Sequence, residues 1–267
     1  MVNATIHVLD RGGLYCDMNY MMEGNTLATY DEQNPDVEYD EIPVWNLVVE
    51  HPEGTILWDT GSHHEAMDGH WPEAVTQAFR PHDAAEHRLD DDLASIGYSI
   101  DDIDAVFQSH LHIDHAGGLE FFDGTDTPVF VHEKELKHAY YSNETGSGSD
   151  SYLLQDFDHD LNWQVLHRDR EEHFTDLEFI RFPGHTPGMT GSMIHLEHKT
   201  IIFTGDQLYM AENYEDKIPL GGPLTWGKTE WRESLRRIQS LERRHDAEVI
   251  FGHDPAQVEA IKPGWNV

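Results

Sequence analysis

Four residues with metal-binding side chains are crowded into one short motif, Ser109–Gly118, which reads SHLHIDHAGG. His110 and His112 follow a short apolar run, and in an extended chain residues i and i+2 point the same way. Asp114 and His115 lie where we expect the chain to turn into a helix, so their side chains diverge towards a second point. Imidazole with carboxylate, and no thiolate, suits Zn²⁺ but also Mn²⁺, Fe²⁺ or Co²⁺. The motif therefore predicts a site for two divalent metal ions.

Three further ligand-type residues follow predicted strands, and each stands beside a glycine. His185 lies in the turn PGHTPG, Asp206 in TGD and His253 in FGHD. Glycine allows the backbone to approach a metal ion closely. Because the chain has 20 histidines, the first motif alone is also compatible with a solvated acidic-histidine loop. Four strand ends that carry ligand residues favour one shared metal site instead.

Taken in order, HLHIDHAGG, PGHTPG, TGD and FGHD resemble the ligand motifs of the metallo-β-lactamase superfamily. The resemblance covers nearly the whole chain, from the LWDTG strand to FGHD. It implies a mixed α/β (α+β) fold, a four-layer αββα sandwich with a dinuclear site between its two sheets. It also implies that residues 1–267 form a single metallo-β-lactamase-like hydrolase domain.

The same resemblance implies a role for each ligand-type residue. One ion would be bound by His110, His112 and His185. The other would be bound by Asp114, His115 and His253, with Asp206 bridging both. Asp59 of LWDTG matches a position whose carboxylate does not bind metal itself but accepts a hydrogen bond from a ligand imidazole and so fixes its tautomer.

Two divalent ions can hold a bridging hydroxide, because metal coordination lowers the pKa of a water to ~7. Hydrolysis of an ester, thioester, lactone, amide or phosphodiester is therefore the expected reaction. The only cysteine, Cys16, is far from the ligand motifs in sequence, unlike the ligand cysteine of thiolate-type β-lactamases. No chain remains for the flavodoxin domain of flavin-linked diiron members, and the basic surface of RNA-processing members is missing.

Tyr209 follows Asp206 by three residues, and this spacing, with ENYED after it, resembles the N-acyl homoserine lactonases. The resemblance implies hydrolysis of the lactone ring of N-acyl homoserine lactones, which quenches quorum signals. In that reaction Tyr209 would donate a hydrogen bond to the carbonyl oxygen as it becomes an oxyanion. The alternative is a packed core tyrosine. Asp114, at the metal edge, would carry a proton to the leaving alkoxide.

The segment Leu14–Met22 (LYCDMNYMM) corresponds to a loop that lines the acyl pocket in the lactonases. Met18, Met21 and Met22 would form a soft apolar wall for the substrate, since thioether side chains adapt to irregular shapes. The plain alternative is that they are ordinary core residues. The segment departs from the lactonase pattern, so no acyl-chain preference is carried over.

Two other functions compete with the lactonase. A thioesterase of the glyoxalase II kind also uses HxHxDH, but those enzymes bind glutathione through basic groups, often in an added C-terminal helical region. Only 14 residues follow His253, which disfavours that function. A metal-dependent binding or sensory module that lost turnover is the second alternative. The complete ligand set together with Tyr209 favours an enzyme.

The elements that must position these residues are recognisable as short β-branched and aromatic runs. Strands are predicted at Ala4–Leu9, Pro43–Val49, Thr55–Trp58, Ala105–Phe107, Pro128–His132, Trp163–Leu166, Leu177–Phe182, Gly191–Leu196, Thr200–Thr204 and Ala247–Phe251. Helices are predicted at Leu89–Ile96, Glu133–Tyr141 and Thr229–Leu241, the last from its apolar spacing. Residues 62–88 are predicted to form a loop and a helix, and residues 142–151 a flexible loop.

The composition is strongly acidic, with 51 Asp and Glu against 17 Lys and Arg, a formal net charge of −34. Such a charge repels phosphate, so nucleic acid and anionic membranes are not expected partners. The chain still has 38% hydrophobic residues, enough for a packed globule. Excess surface carboxylate with few lysines predicts a halophilic surface, the alternative being an acidic mesophilic protein.

The remaining features favour a cytoplasmic protein with a small-molecule lactone or ester substrate. A single cysteine excludes an intramolecular disulfide framework. No apolar run approaches the ~20 residues of a membrane span, and the N-terminus lacks a signal-peptide pattern. A monomer or a homodimer is expected.

Overall fold

The computed structural model describes residues 1–261, and within them the chain forms twelve strands and eight α-helices. The strands are β1 Thr5–Asp17, β2 Tyr39–His51, β3 Gly54–Trp58, β4 Phe79–His82, β5 Ala105–Phe107, β6 Pro128–His132, β7 Asn162–Leu166, β8 Arg170–Phe174, β9 Leu177–Arg181, β10 Thr190–His195, β11 Thr200–Phe203 and β12 Ala247–Ile250. The helices are α1 Met18–Met21, α2 Glu73–Ala78, α3 Leu89–Ser95, α4 Glu133–Thr145, α5 Leu154–Phe157, α6 Ala211–Glu215, α7 Lys228–His245 and α8 Pro255–Ile261.

The strands form two sheets. The first has seven strands in the order β4-β1-β2-β3-β5-β6-β7, and the second has five in the order β12-β11-β10-β9-β8. In the first sheet, β3, β5, β6 and β7 run parallel to one another. In the second sheet, β9, β11 and β12 run in one direction, because β10 is antiparallel to both of its neighbours and β12 is parallel to β11.

Alternate side chains of the first sheet face two different layers, as the two-residue period of a strand requires. Val48, Leu57 and Val106 pack outwards into a cluster with residues of α3, α4 and α5. Their neighbours face the second sheet, where the ring of Phe107 stacks on that of Phe179 at 4.1 Å. Apolar residues from both sheets thus form one shared layer.

Helix α7 covers the outer face of the second sheet. Its buried side chains recur at helical spacing and join residues of β9, β10, β11 and β12: Trp231, Leu235, Ile238 and Leu241. Fully burying one such side chain stabilises the fold by roughly 1.5–3 kcal/mol. The layers are therefore helix, sheet, sheet and helix, which confirms the predicted αββα sandwich. No helix among residues 1–261 is long and apolar enough to cross a membrane.

The predicted strands and the three predicted helices are present, with ends shifted by a few residues. β1 is longer than expected, because a bulge at Gly12 carries the strand on to Asp17. Leu14–Asp17 is therefore strand paired with β2, and only Met18–Met21 is helical. The expectation that Leu14–Met22 is a loop was wrong.

Two further local predictions were wrong, and a third was incomplete, because residues 62–88 contain the expected helix, α2, but also a strand. The chain after Asp114 makes a hydrogen-bonded turn and then a 3-10 turn at Leu119–Phe122, where an α-helix was expected. β4 lies inside residues 62–88, and its Pro81 fits an edge strand. α4 continues to Thr145, so part of the predicted flexible loop is helical.

Candidate metal centre

The predicted ligands follow the carboxyl ends of four strands. The motif from His110 to His115 follows β5, His185 follows β9, Asp206 follows β11 and His253 follows β12. Because β9, β11 and β12 run in one direction, their carboxyl ends meet at the same edge of the second sheet. The end of β5 in the first sheet faces that edge, and the seven side chains converge there.

Seven buried side chains form two groups of metal-ligand type. The first consists of His110, His112 and His185, and the second of Asp114, His115, Asp206 and His253. Each of the seven residues is 8% exposed or less. The sequence named all seven, and the structure brings all seven together.

In the first group, Nε2 of His185 lies 2.8 Å from Nδ1 of His112 and 3.2 Å from Nε2 of His110. In the second group, Nε2 of His115 and Nε2 of His253 each lie 3.2 Å from Oδ1 of Asp206. With a metal–nitrogen distance of about 2.0–2.1 Å, two ligands of a tetrahedral ion lie about 3.3 Å apart. These separations therefore fit a divalent ion in each group.

Asp206 is shared between the two groups. Its Oδ1 faces the second group, whereas its Oδ2 lies 3.5 Å from Nε2 of His110 and 3.6 Å from Nε2 of His185. Oδ1 of Asp206 and Nε2 of His115 are close but not aligned for a hydrogen bond, and both are buried with no hydrogen-bond partner among residues 1–261. Buried polar atoms are rarely left unpaired, so these two atoms mark the position that a cation would occupy.

The second ring nitrogen orients four of the five histidines. Nδ1 of His185 lies 2.8 Å from the carbonyl oxygen of Leu224, and Nδ1 of His253 lies 2.7 Å from that of Pro43. Nδ1 of His115 lies 2.9 Å from Oδ2 of Asp59. Nδ1 of His110 lies 3.0 Å from Oγ of Ser109. A carbonyl oxygen only accepts, so Nδ1 of His185 and of His253 carries the proton. Their Nε2 lone pairs are then free for a metal.

Asp59 is positioned by an uncommon backbone conformation. Its φ is 55°, in the left-handed region that costs of order 1–3 kcal/mol for residues with side chains. Its carboxylate accepts hydrogen bonds from the amide of Ser109 at 2.8 Å, from Oγ of Ser109 at 2.7 Å and from Nε1 of Trp58 at 3.0 Å. The strained turn thus directs one carboxylate to the motif that carries the ligands.

Charge is distributed unevenly between the two groups. Burial lowers the pKa values of His110 and His112 well below the usual value, so both imidazoles are neutral and able to ligate. Burial opposes charge on Asp206 too, but His115, His253 and His110 outweigh it and hold the pKa of Asp206 well below its usual range. The cation-binding carboxylate is therefore ionised.

Gly252 makes room for the shared carboxylate. A Cβ at position 252 would lie 2.9 Å from Oδ1 of Asp206 and 3.0 Å from the Gly205 carbonyl oxygen. A side chain there would displace Asp206. Lack of space beside Asp206 therefore explains why the FGHD motif has glycine at this position.

A narrow cleft opens onto the two groups. Tyr209 lines it together with His112, Asp114, Asp206 and His253. The hydroxyl of Tyr209 lies 3.2 Å from Nδ1 of His185. Burial, with Asp206 and Asp114 nearby, raises the pKa of Tyr209 well above its usual value, so the phenol keeps its proton. It is therefore available as a hydrogen-bond donor at the cleft.

The three methionines of the predicted apolar wall occupy different places. Met21 lines the cleft, whereas Met18 and Met22 are buried in the core and are not among its lining residues. Leu14, from the predicted segment Leu14–Met22, also lines the cleft, as does Phe79, which the sequence did not indicate. β4 and the extension of β1 bring these two residues to the cleft.

Cys16 lies nearer to the centre than its sequence position suggested. Burial raises the pKa of its thiol to about 12, and the charge of Asp114 adds to this effect. The thiol is therefore neutral, in agreement with a site that has no thiolate ligand.

A third group of ligand-type atoms lies outside this centre, formed by His63, His64 and Glu120. Nε2 of His63 is 3.2 Å from Oε1 of Glu120. However, Nδ1 of His63 accepts a hydrogen bond from the amide of Glu65 at 3.1 Å, so the ring proton is on Nε2. That nitrogen has no lone pair for a metal, and this group does not resemble the main centre.

Sequence reasoning missed Glu135, a fully buried carboxylate on α4. It shares a helix face with Ala139 and Ser142, which are also buried. The spacing of four and then three residues was the available signal, since a glutamate on an otherwise small buried face requires partners.

Comparison with known families agrees with this geometry. A family model of the metallo-beta-lactamase superfamily matches residues 39–253. The chain therefore belongs to the metallo-β-lactamase superfamily, as its motifs indicated.

Within that superfamily, the chain is similar to N-acyl homoserine lactonases. It is 31% identical over 269 residues to N-acyl homoserine lactonase AiiB of Agrobacterium fabrum (strain C58), covering 96% of this chain and 95% of that protein. It is 32% identical to AiiB of Rhizobium rhizogenes (strain K84), with the same shares covered. A solved N-acyl homoserine lactone hydrolase, with the product N-hexanoyl-L-homoserine bound at its catalytic metal center, superposes with a TM-score of 0.83. That structure is 25% identical, and 97% of each chain is covered.

Proposed function

We propose that this protein is a metal-dependent hydrolase that opens the lactone ring of N-acyl homoserine lactones. The observation that carries the proposal is the carboxylate of Asp206, which faces two ligand groups beside the hydroxyl of Tyr209. Similarity to the lactonases over nearly the whole chain supports the substrate class.

The residues present fit two divalent ions, and Zn²⁺ is our first choice because nitrogen and carboxylate ligands suit it, with Mn²⁺, Fe²⁺ and Co²⁺ as alternatives. His110, His112 and His185 would hold one ion. Asp114, His115 and His253 would hold the other, with Asp206 common to both. When bound, such ions activate water and polarise a carbonyl oxygen.

Two side chains act on the substrate in this proposal, Tyr209 as a hydrogen-bond donor and Asp114 as a proton carrier. Tyr209, protonated and facing the cleft, donates a hydrogen bond to the lactone carbonyl oxygen as that oxygen gains negative charge. Asp114 lines the same cleft, and its Oδ2 lies 3.6 Å from Nε2 of both His115 and His253. This carboxylate accepts a proton from the attacking water and passes it to the ring oxygen as the ester bond breaks.

The acyl chain would lie along the apolar part of the cleft. Met21, Leu14 and Phe79 line this part. Met18 and Met22 contact substrate only indirectly in this proposal, because they pack in the core behind the wall.

The broader setting of the enzyme is also proposed. The apolar layer shared by the two sheets supports a single hydrolase domain over residues 1–267, of which 262–267 lie outside the described residues. A lone buried cysteine supports a cytoplasmic location, and the net charge of −34 supports a halophilic surface. A monomer or homodimer remains our prediction.

Proton release tests the function directly, because opening a lactone yields one carboxylic acid per turnover. The purified protein, loaded with Zn²⁺ or Mn²⁺ in concentrated KCl, is titrated at constant pH with short- and long-chain acyl homoserine lactones. We expect rapid release that a chelator abolishes, and no release by Asp206→Asn. A folded, metal-loaded sample that releases no acid would refute the lactonase. A glutathione thioester, assayed in parallel, decides whether a thioesterase takes its place.

A further inference from the structure

Glu135 connects the two loops that carry the first group of ligands. Its carboxylate accepts hydrogen bonds from the amide of Leu111 at 3.1 Å and from Oγ1 of Thr186 at 2.5 Å. Leu111 stands between two ligand histidines, and Thr186 directly follows the third. One side chain on α4 thus touches the backbone or neighbour of every ligand in that group.

The contact is built into the packing of α4. A Cβ at Gly188 would lie 2.2 Å from the backbone nitrogen of Glu135, so the PGHTPG turn rests directly on the start of the helix. Burial raises the pKa of Glu135. Hydrogen bonds from Thr186, Tyr152 and Leu111 partly oppose this effect, because they stabilise the ionised carboxylate. A buried carboxylate is costly without such partners, and packing alone would be better served by an apolar residue.

His112 depends on the same network. Unlike the other four ligand histidines, it has no hydrogen-bond partner for its second nitrogen, Nε2, among residues 1–261. Its ring packs against the ring of Tyr152 at 4.5 Å, and the hydroxyl of Tyr152 donates to Glu135 at 2.7 Å. The orientation of His112 is therefore set through Tyr152 and Glu135.

The second group is supported separately. Its His115 pairs with Asp59, which also accepts from Ser109, and Glu135 has no hydrogen bond to any residue of that group in the described chain. Asp59 contacts His115 of the second group directly and reaches His110 of the first group only through Ser109. Glu135 supports the first group alone.

We propose that Glu135 is a positioning residue that sets the metal affinity of the His110, His112 and His185 group, and not that of the second group. The inference rests on the proposed metal binding but not on the lactone substrate. A hydrogen-bonded carboxylate behind a metal site typically contributes 10–100-fold to metal affinity.

Glu135→Gln tests this with little change of shape, because the amide replaces one acceptor oxygen by a donor that faces other donors. Zn²⁺ binding is measured by competition with a chelating dye, so no activity is required. We expect two ions per wild-type chain and about 10–100-fold weaker binding of one ion in the variant, with the other unchanged. Glu133→Gln is the matched control, because Glu133 is on the same helix but only half-buried and paired with Lys137. It should bind both ions as the wild type does.

The other outcomes are equally decisive. Wild-type affinity for both ions in folded Glu135→Gln, or equal weakening of both ions, overturns the inference. A wild-type chain that binds fewer than two ions overturns it as well.

If Glu135→Gln does not fold, Tyr152→Phe is measured in the same way, since it keeps the ring on His112 and removes one hydrogen-bond donor to Glu135. Selectively weaker binding of one ion by this variant supports the inference, and unchanged or equally weakened binding overturns it. Two tightly bound ions without lactone hydrolysis would refute the proposed function alone.

Discussion

Oδ2 of Asp59 lies 2.9 Å from Nδ1 of His115, a residue 56 positions further along the chain. Asp59 follows β3 and His115 belongs to the motif that follows β5, and these strands are parallel neighbours. The pairing of the two strands therefore sets the contact. It fixes which nitrogen of His115 is protonated and leaves Nε2 directed at the shared carboxylate of Asp206.

Asp59→Asn should weaken metal binding by the second group about 10–100-fold, because an amide cannot accept as strongly from the His115 ring. Zn²⁺ content after dialysis against a graded chelator measures this. We expect one ion to be lost at a lower chelator concentration than from the wild type.

The control for this change is Asp101→Asn, at an exposed position away from the centre. It should keep both ions. Unchanged Zn²⁺ retention by Asp59→Asn would show that the left-handed turn at Asp59 serves packing and not the metal.

Tyr209→Phe should lower kcat for lactone opening by roughly 100-fold, the effect of removing one donor to a developing oxyanion. Zn²⁺ content and KM should change little, because the phenol is not among the ligand atoms. Steady-state proton release with a metal assay on the same sample measures both quantities.

Tyr214→Phe is the matched control, since that hydroxyl contacts Glu242 on α7, away from the cleft. Its kcat should equal that of the wild type. A Tyr209→Phe enzyme with full kcat would mean that Tyr209 is a packed core residue, the alternative that its sequence position left open.

The metal ligands were predictable because their signal is local. Each stands within a few residues of glycine at the end of an apolar run, and strand ends position side chains at a sheet edge. The strands themselves were predictable from short β-branched and aromatic runs. β2 is an example: it is apolar on both sides, with Leu47 and Val49 facing one layer and Val48 the other. Residue type was sufficient there.

The rest depends on contacts between distant segments. β8 reads REEHF and has no apolar alternation, so only its pairing with β9 makes it a strand. Glu135 resembles a surface glutamate until Leu111 and Thr186 are placed beside it. The separation of Met21 from Met18 and Met22 likewise depends on where β1 ends, and a bulge at Gly12 decides this.

The stability of the protein should decrease as the pH falls from about 6.5 to about 4. Burial, with Arg181 nearby, lowers the pKa of His132 to about 4, and Nδ1 of His132 accepts from the amide of Lys134 at the start of α4. Below about 6.5 the unfolded chain binds a proton that the folded chain refuses, so the stabilisation is complete above that pH and decreases below it. Urea unfolding at several pH values measures the free energy.

His132→Asn isolates this contribution, because asparagine also caps a helix N-terminus but does not titrate. The difference in unfolding free energy between this variant and the wild type should change across that pH range in favour of the variant. His198→Asn, at an exposed histidine, should follow the wild type. Parallel profiles for His132→Asn and the wild type would contradict the assignment.

The fold or the activity should be lost below molar KCl. With 51 acidic groups and 17 Lys and Arg, repulsion between carboxylates extends over ~30 Å at 0.01 M salt but only ~3 Å at 1 M. Part of this charge is concentrated, for example in the first turn of α3, where Asp90, Asp91 and Asp92 are adjacent. Melting temperature and proton release are measured over a KCl series.

Sucrose separates screening from general stabilisation in that experiment, because it favours burial but carries no charge. The protein is first placed in dilute buffer, and KCl or sucrose is then added. If KCl restores the fold and sucrose does not, repulsion among surface carboxylates is the cause of the loss. Full activity in dilute buffer would refute a halophilic surface. The buried core would then stabilise the fold enough to offset the repulsion between carboxylates, as in an acidic mesophilic protein.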